Sequence, residues 1–326
     1  MKGICIGLVI AGMLAGSAGG ASQSGSVDLV AYSTPKDAYG KIIAAFQNTG
    51  AGKGVSFTQS YGASGDQARA VAAGQPADVI NLSLDPDVDL LARKKLVPKN
   101  WKANTHRGIV TDSVVVFVVR DGNPKHLKGW GDLVKPGIQV ITPNPFTSGG
   151  ARWNVLAAYG ALRKQGKTHK QAVKYLSKLF HQVPVQPDSA REALQVFAQG
   201  KGDVLLTYEN EAIYANAKGV HTDYRVPKST ILIESPAALT KTGLGKPAAK
   251  AFYKYLWSAS AQKAFGDQGY RPVLKSVARR YHFFKPPGLF TINSKPVGLN
   301  GWPKVNKRFF DPNHGIMAAI ERSLGH

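Results

Sequence analysis

A chain of 326 residues, 43% of them hydrophobic, is long and apolar enough for about two domains with sizeable cores, which excludes global disorder. Its single cysteine, Cys5, lies in the N-terminal apolar run, so the remainder has no thiol for disulfides, thiolate metal sites or nucleophilic catalysis. The formal charge of +22 invites an anionic partner, but the densest cationic groups, "RKK" at 93–95 and "ARR" at 278–280, form no basic arm. A solvated basic surface is the plainer reading, and no nucleic-acid partner is expected.

Residues 1–21, "MKGICIGLVIAGMLAGSAGGA", combine Lys2, an apolar run and a small-residue exit. That is the pattern of a secretory signal peptide, and its apolar run is too short to span a membrane. Removing it leaves a charge of +21 and an exported protein, expected in the periplasm as a monomer. Residues 22–27 read as a flexible N-terminus.

From there strands and helices alternate. "VDLVAYS" is a strand by its alternation and β-branched residues, and "TPKDAYGKIIAAF" a helix with a cap residue and an early proline. "GVSFTQSY" and "ADVINLS" are strands, followed by the helices "SGDQARAVAAG" and "DPDVDLLARKK". "DSVVVFVVRDG" at 112–122 is a long, continuously apolar strand, and "GIQVITPNP" a strand that feeds the loop "FTSGG" and a helix. A helix over about 168–181 comes next, then the helix of "DSAREALQVFAQG" and the strand and helix of "GDVLLTYENEA". "STILIESPAALT" reads as a strand pair, 246–266 as one amphipathic helix, and the tail from 269 as irregular.

This alternation implies an α/β protein with mostly parallel sheets. Two lobes are expected, 28–112 plus 237–326 and 113–236, where strands near 113–119 and 230–238 cross between them. Ligands in such sheets bind where strand ends enter helices.

Four such turns share one character: "YSTPKD" around Ser33 and Thr34, "SYGASGDQ" around Ser64, "TSGGAR" around Ser148, and "PDSARE" around Ser189. Each sets a hydroxyl near a helix cap, then small residues that allow close backbone approach. Any one of them is explained by ordinary capping, and Ser189 with Glu192 even spells a capping box. The turn at 148 is different, because Gly149 and Gly150 weaken a helix start that carries no acid in its first turn. A small dianion held by several neutral N–H and O–H donors would account for it. Donors alone would also reject a protonated oxyanion, which needs an acceptor.

The chain resembles the periplasmic sulfate-binding protein family, the solute receptors of sulfate and thiosulfate import. The likeness runs in order over most of residues 28–315 through "SYGASGDQARAV", "ADVINLSL", "VPKNW", "VVRDGNPK", "WGDLVKPGIQVITPNPFTSGGARWNVLAA", "GDVLLTYENEA" and "YRPV". It implies a two-lobe, type II periplasmic-binding-protein fold, no cofactor, and delivery of sulfate or thiosulfate to the membrane permease of an ABC transporter. Carried over by position, it implies the hydroxyl of Ser148, main-chain donors at Gly149, Gly150 and Ala190, and a contact at Ser64. Ser33 or Thr34 stands where the family commonly has aspartate, and Tyr208 where it often has tryptophan. A phenol accepts as well as donates, so molybdate or phosphate remains the alternative ligand. An enzyme is not expected. "TSGG" lacks the Gly-x-Ser-x-Gly elbow, the histidines lack metal-ligand spacing, and the aspartates of "DPDVDLL" lack the closing glutamate of a calcium loop.

Overall fold

The computed structural model describes residues 25–325, so the expected signal peptide lies outside the described residues. Among the described residues nine strands run β1 (Ser26–Tyr32), β2 (Ser56–Gly62), β3 (Val79–Asn81), β4 (Ile109–Arg120), β5 (Val140–Ile141), β6 (Val204–Tyr208), β7 (Thr222–Arg225), β8 (Leu232–Leu239) and β9 (Arg271–Pro272). The first seven helices are α1 (Lys36–Gln47), α2 (Ser64–Ala72), α3 (Asp85–Arg93), α4 (Gly149–Lys164), α5 (His169–His181), α6 (Ala190–Ala198) and α7 (Glu209–Ala217). The rest are α8 (Lys241–Gly245), α9 (Pro247–Tyr255), α10 (Ala259–Asp267), α11 (Lys275–Ala278), α12 (Trp302–Val305) and α13 (Ile316–Leu324). β1 starts within the segment read as a flexible N-terminus: Ser26 and Val27 already pair with Ser56 and Phe57.

The strands form one path, β2-β1-β3-β8-β4-β6-β5, with β7 and β9 also on β4. The parallel pairs are β1 with β2, β1 with β3, and β5 with β6. β8 and β4 join them antiparallel to their neighbours. Near its start β4 pairs with β8 through Val114, and from Val115 onward with β6 and β7. One strand thus belongs to both ends of the sheet. From Val114 to Val119 it is continuously apolar because both faces are covered. Phe117 packs edge-on against Trp130 on one side at 4.8 Å, while Val114, Val116 and Val118 join Ile141, Leu205 and Phe197 on the other.

Four local readings change. "STILIESPAALT" is one strand, β8, preceded by an isolated bridge from Ile231 to Phe290 rather than a hairpin. The 246–266 helix is two helices. The Ser258 hydroxyl accepts from the Ala261 N–H at 3.2 Å and so restarts the helix, and the Trp257 indole anchors the break on the Ile109 carbonyl at 2.8 Å. The strand expected across 137–145 shortens to Val140–Ile141. The tail is not irregular throughout, since it closes in α13, whose apolar face includes Met317, Ala318 and Ile320.

That tail also packs where the lobe division did not put it. Trp302 lies edge-on to Trp153 of α4 at 4.8 Å, Phe309 meets Tyr159 of α4 at 4.8 Å, and α13 lies on α5. Trp302→Ala is expected to destabilise the protein by about 3–5 kcal/mol, the usual cost of emptying a buried indole site. A urea midpoint unchanged from wild type would show that the tail is apposed to α4 without supporting it.

Candidate ligand site at converging helix starts

Five of the helices that begin directly after a residue in extended backbone are α2 after Ala63, α3 after Leu84, α4 after Ser148, α6 after Ser189 and α7 after Tyr208. Close contacts show that these starts converge. A Cβ on Gly150 would lie 2.9 Å from the Tyr208 ring, 3.3 Å from Ala190 Cβ and 3.4 Å from Ser148 Oγ. A Cβ on Gly149 would lie 2.5 Å from Ser83, which precedes α3. The Gly65 N–H of α2 donates to the Thr147 carbonyl at 3.0 Å. Ser64, Ser148, Gly149, Gly150, Ala190 and Tyr208 are therefore brought together, and glycine is required at 149 and 150 by contact distance alone.

The turn after β1 reaches the same place less directly. The Thr34 carbonyl accepts from Arg191, the residue after Ala190, at 3.0 Å. Thr34 does not cap α1 as its position suggested: its hydroxyl pairs with the Tyr270 phenol at 2.8 Å, and α1 begins with no side-chain cap. Ser33 is half-buried in this turn, and among the described residues no hydrogen bond ties its side chain to the cluster.

A proton count shows what each group has left to offer. The Ser64 hydroxyl donates to Asp87 at 2.6 Å and accepts from the Ser83 N–H at 2.9 Å. Its one proton is committed, so α2 presents main-chain N–H groups rather than that hydroxyl. Ser148 Oγ accepts from the Ala151 N–H at 3.3 Å, which leaves its proton free to donate. Capping Ala151 leaves the first two amides of α4, those of Gly149 and Gly150, which have no acceptor inside a helix. Both residues are buried, and the first turn of α4 holds no acid. The Tyr208 phenol and the Ser83 hydroxyl lie 2.6 Å apart; two hydroxyls sharing one bond keep one proton over.

Ser83 was the main omission from the sequence reading. It is fully buried, and besides Tyr208 and Ser64 it accepts the Trp153 indole N–H on its carbonyl at 3.1 Å. The available signal was "NLSLDP", a further strand-to-helix turn with a hydroxyl. Arg191 was also missed. It forks onto Glu211 at 2.8 and 2.9 Å and reaches Asp37 at 3.3 Å.

Burial sets the protonation around the cluster. It lifts the Tyr208 phenol well above its ordinary value, so this group stays a neutral hydroxyl. Burial also raises the Asp87 and Glu211 carboxyls, opposed by Arg152 and the Ser64 bond at Asp87 and by Arg191 at Glu211. Ser148 is bonded to an amide instead of a base, which is a donor's arrangement and not a nucleophile's. Among the described residues no group of three or more His, Cys, Asp and Glu side chains is placed to hold a metal, and no helix is long and apolar enough to cross a membrane. What the geometry offers is a cluster of buried neutral donors, suited to holding an anion.

Comparison with known proteins decides the family. Residues 27–271 match the profile of bacterial extracellular solute-binding proteins. A sulfate-binding protein of Synechococcus elongatus is 39% identical over 90% of this chain and 86% of its own length. The chain belongs to the sulfate-binding protein family. A thiosulfate-binding protein of Pseudomonas aeruginosa is 36% identical over 93% of this chain and 94% of its own. The structure of the sulfate-binding protein SubI from Mycobacterium tuberculosis superposes with a TM-score of 0.83 at 42% identity, covering 88% of this chain and all but 1% of that one. The fold is accordingly the two-lobe type II arrangement of periplasmic binding proteins, with β4 and β8 as the strands common to both ends of the sheet.

In this family member Gly149→Ala is expected to cost about 1–3 kcal/mol of stability, because the new methyl group overpacks Ser83. Equilibrium denaturation would reveal it, and a mutant as stable as wild type would mean that Ser83 and α4 separate without penalty.

Proposed function

We propose that this protein is an exported receptor that captures sulfate or thiosulfate between its lobes and delivers it to the membrane permease of an ABC transporter. The observation that carries this reading is the acid-free, doubly glycine start of α4, buried against Ser83, Ala190 and Tyr208. A desolvated dianion forfeits a large hydration energy, while one helix start returns only about 0.3–2 kcal/mol. Several starts and charge-assisted bonds acting together are needed, and this cluster supplies them. The donors would be the Gly149, Gly150, Ser64 and Ala190 amides, the Ser148 hydroxyl, an amide of the Ser33–Thr34 turn, and the free proton of the Tyr208–Ser83 pair. No bond is made or broken in this role, and it calls for no cofactor.

The lobes would be 28–112 with most of 237–326, and 113–236 joined by the tail that packs on α4 and α5. With that division the contacts of Gly149 with Ser83, Gly65 with Thr147 and Thr34 with Arg191 all run between lobes, as in a hinged receptor that shuts on its ligand. Export to the periplasm through the 1–21 segment and action as a monomer complete the reading.

A thermal-shift panel of sulfate, thiosulfate, molybdate and phosphate against buffer tests it: sulfate or thiosulfate should raise the melting temperature most. A panel without any shift would end the proposal. Ser148→Ala should weaken sulfate binding by about 1–3 kcal/mol by calorimetry, since a charge-assisted bond is lost. An equal affinity would place Ser148 outside the contact shell.

One observation favours a wider ligand range. The Tyr208–Ser83 pair holds lone pairs as well as a proton, so it can serve a protonated oxyanion. Tyr208→Trp puts a donor without acceptor capacity there, and the sulfate-to-phosphate affinity ratio should rise by about tenfold or less, the range of one hydrogen bond. If the ratio does not move, position 208 does not read the ligand.

A further inference from the structure

We infer that Arg271 is an electrostatic positioning residue that neutralises Glu209 beside the cleft, so that a dianion can be held there; this rests on the sulfate reading above. The first turn of α7 carries Glu209 and Glu211, both fully buried, immediately after Tyr208. Acids suit a helix start when nothing else is bound there. This start, however, joins the cluster that would hold the ligand, and two uncompensated carboxylates in a buried setting would repel it.

Each carboxylate has one arginine. Glu211 is gripped by Arg191, which also holds the turn of Thr34. Glu209 receives the Arg271 Nε–H at 2.7 Å, and both side chains are largely buried. Arg271 arrives from β9, which pairs with β4, and there it lies opposite Asp112. Its remaining hydrogen bond goes to the Phe284 carbonyl at 2.8 Å, and its guanidinium lies over the Phe283 ring. The other Glu209 oxygen, Oε1, is buried with no hydrogen-bond partner among the described residues. Among the described residues Arg271 is the cation paired with this charge. Among the described residues Arg271 makes no hydrogen bond or ion pair with the cluster, so it would act on a ligand through Glu209.

The test is a double-mutant cycle read by calorimetry with sodium sulfate, on protein exported by a bacterial host. R271Q should weaken binding by about tenfold or more, the cost of an uncompensated neighbouring charge. E209Q/R271Q should recover to within about threefold of wild type, because the carboxylate is gone along with its partner. A purely structural arginine would leave the double variant no better than R271Q, and that result overturns the inference. Recovery in D112N/R271Q instead would assign the charge to Asp112 and also overturn it. Should R271Q fold poorly, E209Q alone still decides: tighter binding, from the arginine left unmatched, supports the inference, and equal or weaker binding refutes it. Wild-type protein that ignores sulfate would sink the sulfate reading itself, whereas a binding wild type with no rescue would sink only this step.

Discussion

The amides of Gly149 and Gly150 are the constraint around which the rest is arranged. A buried N–H needs an acceptor, and the first amides of a helix cannot find one inside it. Proteins usually answer with an acid or a cap, but here the one cap serves Ala151 and the first turn has no acid. The same two residues must lack side chains because Ser83 and the Tyr208 ring occupy the space a Cβ would take. Donor exposure and close packing are thus one requirement met by one residue type. It ties α4 to the turn before α3 and to the starts of α6 and α7 at once.

What could be read from the sequence was what is local. Alternation, caps and breakers located nearly every strand and helix up to residue 217, because each depends on residues within a turn of one another. Sheet order was not legible, since β4 pairs one stretch with β8 and the next with β6 through partners about a hundred residues away. The tail failed for the same reason: its aromatics are explained by Trp153 and Tyr159, which no local pattern announces. At the site, the missing acid made Ser148 and the glycines stand out. Ser64 could be singled out by its turn, but the commitment of its hydroxyl could not be read, because only the fold brings Asp87 to it. Ser83 escaped notice behind Asp85 and Asp87, which made its helix look fully served by acids.

The charge of the protein and the charge of the cluster are separate matters. The formal total is +22, yet among the described residues no lysine hydrogen-bonds to the cluster, and two of the arginines beside it, Arg191 and Arg271, are matched to Glu211 and Glu209. A positive surface concentrates anions of every kind near the protein, and salt screens that attraction within about 10 Å at 0.1 M. Such a field cannot distinguish one oxyanion from another. Discrimination needs fixed donors at fixed distances in a place water does not reach, where an unmatched polar group carries its full desolvation cost.

Neutral donors have a further consequence for a receptor that must release what it binds. A lysine in the cleft would attract the anion in the open and the shut form alike, because its charge acts over distance. Amides and hydroxyls act only at contact, so their contribution depends on the lobes being together. The contacts that bring Ser83 to Gly149, Gly65 to Thr147 and Thr34 to Arg191 come from chain segments far apart in sequence. Separating them would take Ser64, Ser83 and the Thr34 turn away from the donors at Ser148, Gly149, Gly150, Ala190 and Tyr208. Affinity built this way would be greatest in the closed arrangement, and opening would weaken it.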